Sequence, residues 1–137
     1  MEKHTYKSFF GIVFLAVLFI SGCDKRMTLE PGYLEGVISI GPICPVERVP
    51  PDPACLPTAE TYKAYPVSVF SSDGRRKILQ LNPLLDGSFI TELAPGNYLV
   101  VLDKAQNYIG CSNLPVEVSI STHDRTLLNI NIDTGIR

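Results

Sequence analysis

Four cysteines and two histidines are the groups of this 137-residue chain with the widest chemical range. They stand at Cys23, Cys44, Cys55, Cys111, His4 and His123. A thiol can be acylated, paired with another thiol, coordinate a metal or act as a nucleophile, depending on its compartment and neighbours. Cys44, Cys55 and Cys111 contain no C-x-x-C pair and have no histidine near them in sequence, so no zinc site is predicted. His123 lies in the polar stretch "STHDR" beside Asp124, with no nucleophile spaced to use it, and reads as a turn histidine. Asp73 and Asp86 belong to Asp-Gly turns and lack the run of oxygen ligands that calcium needs. No cofactor is implied, and the chain is expected to be non-catalytic. An envelope enzyme or a redox protein using Cys111 is the weaker alternative.

Which cysteine chemistry applies depends on where the chain resides. Lys3 and Lys7 precede "FFGIVFLAVLFI", Phe9 to Ile20, an unbroken apolar run of twelve. That length suits a signal-peptide core and is too short to cross a hydrocarbon layer about 30 Å thick as a helix. The run ends in "ISGC", Ile20 to Cys23, which resembles the lipobox of bacterial lipoproteins. The resemblance implies diacylglyceryl transfer to the Cys23 sulfur and cleavage before it, leaving residues 1–22 as a removed leader. Acyl chains then anchor the product to a membrane, at about 0.8 kcal/mol per buried methylene. Asp24 resembles the inner-membrane retention signal of enterobacterial lipoproteins. The expected location is a cell membrane, on its extracytoplasmic side.

In that oxidising setting a disulfide is the default for the remaining thiols. Cys44 and Cys55 are the expected pair, being close in sequence, although Cys111 with either of them stays open. Without residues 1–22, and so without Lys3, Lys7 and Glu2, ten basic and thirteen acidic residues remain, a net charge of −3. They are scattered, and nucleic acid is not an expected partner.

The elements that must carry these residues read as β-strands. Residues 23–33 form a polar tether with a Pro-Gly turn, and residues 34–137 the folded unit. Strands are predicted at 34–40, 65–71, 77–82, 88–93, 97–103, 115–121 and 126–132. Val116, Val118 and Ile120 oppose Glu117 and Ser119. Phe89, Thr91 and Leu93 oppose Ile90 and Glu92, and Leu128, Ile130 and Ile132 oppose Asn129 and Asn131. Such alternation fits antiparallel sheets with one face on a core. "YLVVL" (98–102) is apolar on both faces and suits a central strand. A short helical turn is predicted near Thr58 to Tyr62. Asp73-Gly74 and Asp86-Gly87 predict hairpin turns, and Pro95-Gly96 another turn. Seven short strands in about 100 residues predict an all-β sandwich.

"DGSFITELAPGNYLVVL", Asp86 to Leu102, resembles the D-G-x-F-x-x-x-L-x-P-G-x-Y stretch of transthyretin-like sandwiches, which include carboxypeptidase regulatory-like and Cna-B-type domains. Together with "GVISIGPICPVERVPPDPAC" and "NINIDTGIR", it also resembles a group of small bacterial lipoproteins with this fold. The resemblance implies a seven-stranded antiparallel sandwich in which residues 41–57 connect the first two strands. One enzyme of this fold, 5-hydroxyisourate hydrolase, uses several histidines and a Tyr-Arg-Gly-Ser tail. Neither is matched by a single mature histidine and "DTGIR". The Lys–Asn isopeptide bond of Cna-B domains is not expected either, because "LEGVISI" has no lysine.

Residues 41–57 hold six prolines, which lack amide donors and fix φ, so the segment cannot join a ladder. A Cys44–Cys55 bridge would staple it. Its first reading is structural, the stapling of a long crossover in a module with a structural or interaction role at the cell envelope; the alternative is a preorganised binding loop with Val46, Glu47, Arg48 and Val49 at its tip, able to meet an envelope protein or glycan. The basic run Arg75 to Lys77 reads as a solvated edge.

Overall fold

The computed structural model describes residues 29–46, 48–103, 110–111 and 113–136. Two sheets pack face to face. Sheet I runs β4 (Ser88–Leu93), β1 (Gly32–Gly41), β9 (Ile130–Asp133), β6 (Gly110–Cys111), and β8 (Arg125–Leu127) also pairs with β1. Sheet II runs β3 (Lys77–Gln80), β2 (Val67–Ser71), β5 (Gly96–Leu102), β7 (Val116–Ile120). Each of the seven predicted segments contains strand, and the alternation holds: Phe89, Leu93, Val118, Ile120, Ile130 and Ile132 are buried. They meet Leu34, Ile38, Val67, Val69 and Val100 between the sheets. β5 is an inner strand, as its two apolar faces predict.

The expectation of seven antiparallel strands is corrected in two respects. Nine strands lie among the described residues, and β8 and β9 both run parallel to β1. The segment predicted at 126–132 breaks at Leu128 and Asn129, so β8 pairs with Tyr33–Glu35 and β9 with Ile38–Gly41. Across the break Leu128 N–H donates to Glu35 O at 2.8 Å, and Val37 N–H to Asn129 Oδ1 at 3.1 Å. The Asn129 side chain thus supplies the acceptor that the interrupted strand withdraws. Gly36 makes the approach possible: a Cβ there would lie 1.9 Å from Leu128 O.

Of the predicted turns, Asp73-Gly74 closes the β2–β3 hairpin, with Gly74 at φ +69°. The other two do a different job. Asp86-Gly87 and Pro95-Gly96 carry the chain between sheets, from β3 to β4 and from β4 to β5. The turn chemistry is alike, but β4 finds its partner in β1, far away in sequence.

The register gives the sandwich two ends. Gly32, the β2–β3 turn, Gly96 and the Ser121–Asp124 turn share one end. Gly41, the 42–66 connection and Asp103 share the other. On the outer face of sheet II the fully buried Ser68 donates to Asp103 Oδ2 at 2.5 Å, and Lys77 Nζ lies 2.8 Å from the same oxygen. Burial raises the Asp103 carboxyl, but the hydrogen bonds from Lys77 and Ser68 and the Lys77 charge outweigh it, and its pKa is lowered. A carboxyl with a lowered folded pKa adds stability that is complete above its unfolded value, about 3.9, and is lost as pH falls through the folded one. Asp103→Asn should therefore lower stability at pH 7 and flatten the acid limb of a urea-measured stability profile. An unchanged acid limb would remove the ion pair from the account.

Candidate functional site

The 42–66 connection between the sheets is built in layers. At its base Ile43 packs against the core, Thr134 N–H donates to Gly41 O at 3.2 Å, and the Thr134 hydroxyl donates to Pro42 O. Above that, Cys44 and Cys55 form a disulfide with Cα atoms 5.4 Å apart, which excludes the alternative pairings of Cys111. Asp52 caps the short 3-10 turn Pro53–Cys55: its Oδ1 accepts from Ala54 N–H at 2.9 Å, and its carbonyl from Cys55 N–H at 2.8 Å. The connection then enters helix α1 (Ala59–Ala64), the predicted helical turn. Thr58 and Thr61 form a reciprocal capping box at its start, which fixes where the helix begins.

Of the predicted loop tip, Val46 and Val49 are 69% and 101% exposed, and Arg48 is exposed with no ion pair among the described residues. Glu47 lies outside the described residues, as do Cys23, Asp24 and the leader. Val49 is fully presented to solvent and Val46 largely so. Beneath the tip is a cavity of about 340 Å³ lined by Arg48, Val49, Pro51 and Leu56, among others.

Sequence reasoning missed the continuation of this surface. Leu56 (50% exposed), Leu84 (67%) and Leu85 (70%) extend the apolar area from the loop to the β3–β4 crossover. A groove of about 550 Å³ lies between them and β1, lined by Ile38, Ile40, Leu56, Pro57, Tyr62 and Leu85 together with Ser39 and Asp86. The available signal was "PLLDG", Pro83 to Gly87, where two leucines enter a tight turn that cannot bury both.

Electrostatically the groove is anionic at one point. Hydrogen bonds from the Ser88 hydroxyl (2.6 Å) and Ser88 N–H (2.9 Å) hold the Asp86 carboxyl below the usual range. Burial, and then the charge of Asp86, push the Tyr62 hydroxyl up, and it stays neutral while donating to Leu85 O at 3.5 Å. Chemistry of other kinds finds no assembly here. His123 sits at φ +58° in the Ser121–Asp124 turn, at the opposite end of the sandwich. Cys111 lies in β6, opposite Ile132. No group of three metal-ligating side chains exists among the described residues. No helix among them is long and apolar enough to cross a membrane.

No family model matches the chain, and no curated protein matches it. Among solved structures it is similar to a minor pilin of Streptococcus agalactiae, with TM-score 0.53 and 14% identity over 77% of this chain and 45% of the pilin. The Bacillus anthracis TIE protein gives TM-score 0.48 at 12% identity, over 76% of this chain and 16% of that one. A DUF3823 family protein of Parabacteroides merdae gives 0.45 at 15%, over 75% and 46%. The chain spans less than half the length of each. At these identities the likeness to the pilin is one of fold, a β-sandwich.

Proposed function

We propose that this protein is a lipid-anchored, extracytoplasmic β-sandwich module of the transthyretin-like group, non-catalytic, with an interaction or structural role at the bacterial cell envelope. The observation that carries the reading is the Cys44–Cys55 bridge beneath an exposed apolar loop. A small domain stapled by a disulfide belongs in an oxidising compartment. The "ISGC" sequence then supplies the means of attachment. A fold shared with a pilin subunit agrees with a surface role.

Polarity of attachment favours the loop as the working end, the second form of this reading. β1 starts at Gly32, close behind the tether, and ends at Gly41, where the connection begins. Ten residues of strand span roughly 30 Å. The anchor therefore leaves the 42–66 end pointing away from the lipid, toward an envelope protein or glycan.

Cys23→Ser tests the anchoring. The wild-type chain should fractionate with membranes and show an intact mass with residues 1–22 removed and acyl groups added. The variant should keep its leader and carry no acyl mass. An unmodified, uncleaved wild-type chain would overturn the proposal.

A further inference from the structure

We infer that the apolar surface running from the disulfide loop to the β3–β4 crossover is a self-association site, on which a second copy of this chain docks through a two-fold contact. Val49 and Arg48 of each copy would enter the groove of the other beside Leu85 and Asp86. The inference deepens the interaction role proposed above by naming its partner, and rests on it.

The surface carries a projection and a recess. Val49 is fully exposed at the loop tip, and the cavity of about 340 Å³ that it lines with Arg48 extends to Leu56. Leu56 also lines the groove of about 550 Å³, together with Leu85 and Asp86. Half-exposed Leu56 is thus the ridge shared by two hollows, with Val49 and Arg48 belonging to one and Leu85 and Asp86 to the other. A two-fold axis through this ridge sets the two Leu56 side chains against each other and brings the projection of each copy over the groove of its neighbour. Closed two-fold symmetry asks this of a patch: residue i meets j, and j meets i. Val49 and the exposed wall of the groove, Leu85, both lose apolar surface to water in the contact.

The charges decide the occupant. Arg48 has no ion pair among the described residues, and Asp52, which shares its cavity, is engaged by Ala54 N–H. Asp86 accepts from Ser88 but has no cation within ion-pair distance among the described residues. One face therefore bears an unpaired cation and an unpaired anion on either side of its ridge, and the fold keeps them apart. A second copy turned about the two-fold supplies each with its counterpart, twice. A lipid surface would strip water from Asp86 and Asp52 and return nothing for it. An unrelated protein would have to match both signs in this order by a surface of its own, whereas a second copy carries the match already. Few side chains contribute, so the contact is of transient size, with an expected dissociation constant of about 10–100 µM.

Sedimentation of the full-length protein in density-matched detergent micelles, disulfide intact, tests this. Between about 1 and about 300 µM the chain should pass from monomer to dimer. Val49→Asp and Arg48→Glu should each weaken the dimer by about tenfold or more. Both side chains are exposed, so neither change should move the Tm. Mixing then reads the symmetry. Arg48→Glu and Asp86→Lys chains should associate poorly alone and regain the wild-type affinity within about threefold when mixed, because the mixed pair holds two opposite-charge contacts. Asp86→Lys also removes the turn bonds to Ser88. A second mixture, Val49→Asp with Leu85→Lys, therefore repeats the exchange at two exposed positions outside those bonds. Recovery in either mixture supports the inference. A monomer throughout, a dimer indifferent to Val49→Asp, recovery in neither mixture, or growth beyond a dimer would each overturn it. The readout is separate from membrane fractionation and acyl mass, so the inference and the anchoring stand or fall independently.

Discussion

Gly36→Ala should lower the stability of the sandwich by about 3 kcal/mol, and its Tm by roughly 15 °C for a domain of this size. The added Cβ would lie 1.9 Å from Leu128 O and 2.6 Å from Leu128 C. Both are backbone atoms, so no side chain can swing aside. Leu128 itself is fixed by its bond to Glu35 O, and the following residue by the Asn129 bond to Val37 N–H. On the other flank Gly36 is paired with Phe89 of β4. Relief must come from separating β1 from the β8–β9 line, which opens the middle of sheet I. Gly41→Ala is the matched control, because nothing lies within 4 Å of its Cβ position. Urea titration of both variants should show a large loss for the first and a change within about 0.5 kcal/mol for the second. Equal losses would mean that backbone freedom, not the contact with Leu128, explains the glycine.

The second large effect concerns the bridge. Replacing Cys44 and Cys55 together by serine should cost about 3 kcal/mol, the loop-closure entropy returned to the unfolded chain by opening a ring of this size. The full amount is expected because the ring is not an isolated flap. Its base is tied to the core by Ile43 and to the C-terminal strand through Thr134, so the connection is disordered only when the domain is. Prolines and the Asp52 cap retain some order after reduction, but they act within the ring and do not replace its closure. Melting the wild-type protein with and without reductant, alongside the double variant, measures it. A loss below about 1 kcal/mol would show that the segment opens locally while the sheets stay folded.

Much of the architecture was legible in the sequence because strand alternation is a local signal. "VEVSI" and "SFITEL" declare their buried faces without reference to any neighbour. Pairing is not local. Nothing in "TLLNINI" says that it breaks at Leu128 and runs parallel to β1, since the interruption is created by Gly36, some ninety positions earlier. Two residues, Gly110 and Cys111, make β6, too few for periodicity to register. The three Gly-containing turns look alike in sequence, yet one closes a hairpin and two change sheets, because the destination of the next strand is set by its distant partner. At the candidate site, the disulfide and the exposed Val46, Arg48 and Val49 followed from composition and spacing. The groove did not. It requires Leu56, Tyr62 and Leu85 to converge on Ile38 and Ile40 of β1 from separate segments.

β1 also has a mechanical meaning. It joins the tether at one end of the sandwich to the 42–66 connection at the other, and is flanked by β4 on one side and by β8 and β9 on the other. Ladder bonds lie across the strand direction. Tension applied between the N-terminus and a partner gripped at the loop would therefore load those bonds in shear, all together, and would not unzip them singly. Under such a load the pull would run along β1, and the resistance of that strand to sliding would set how long the attachment lasts.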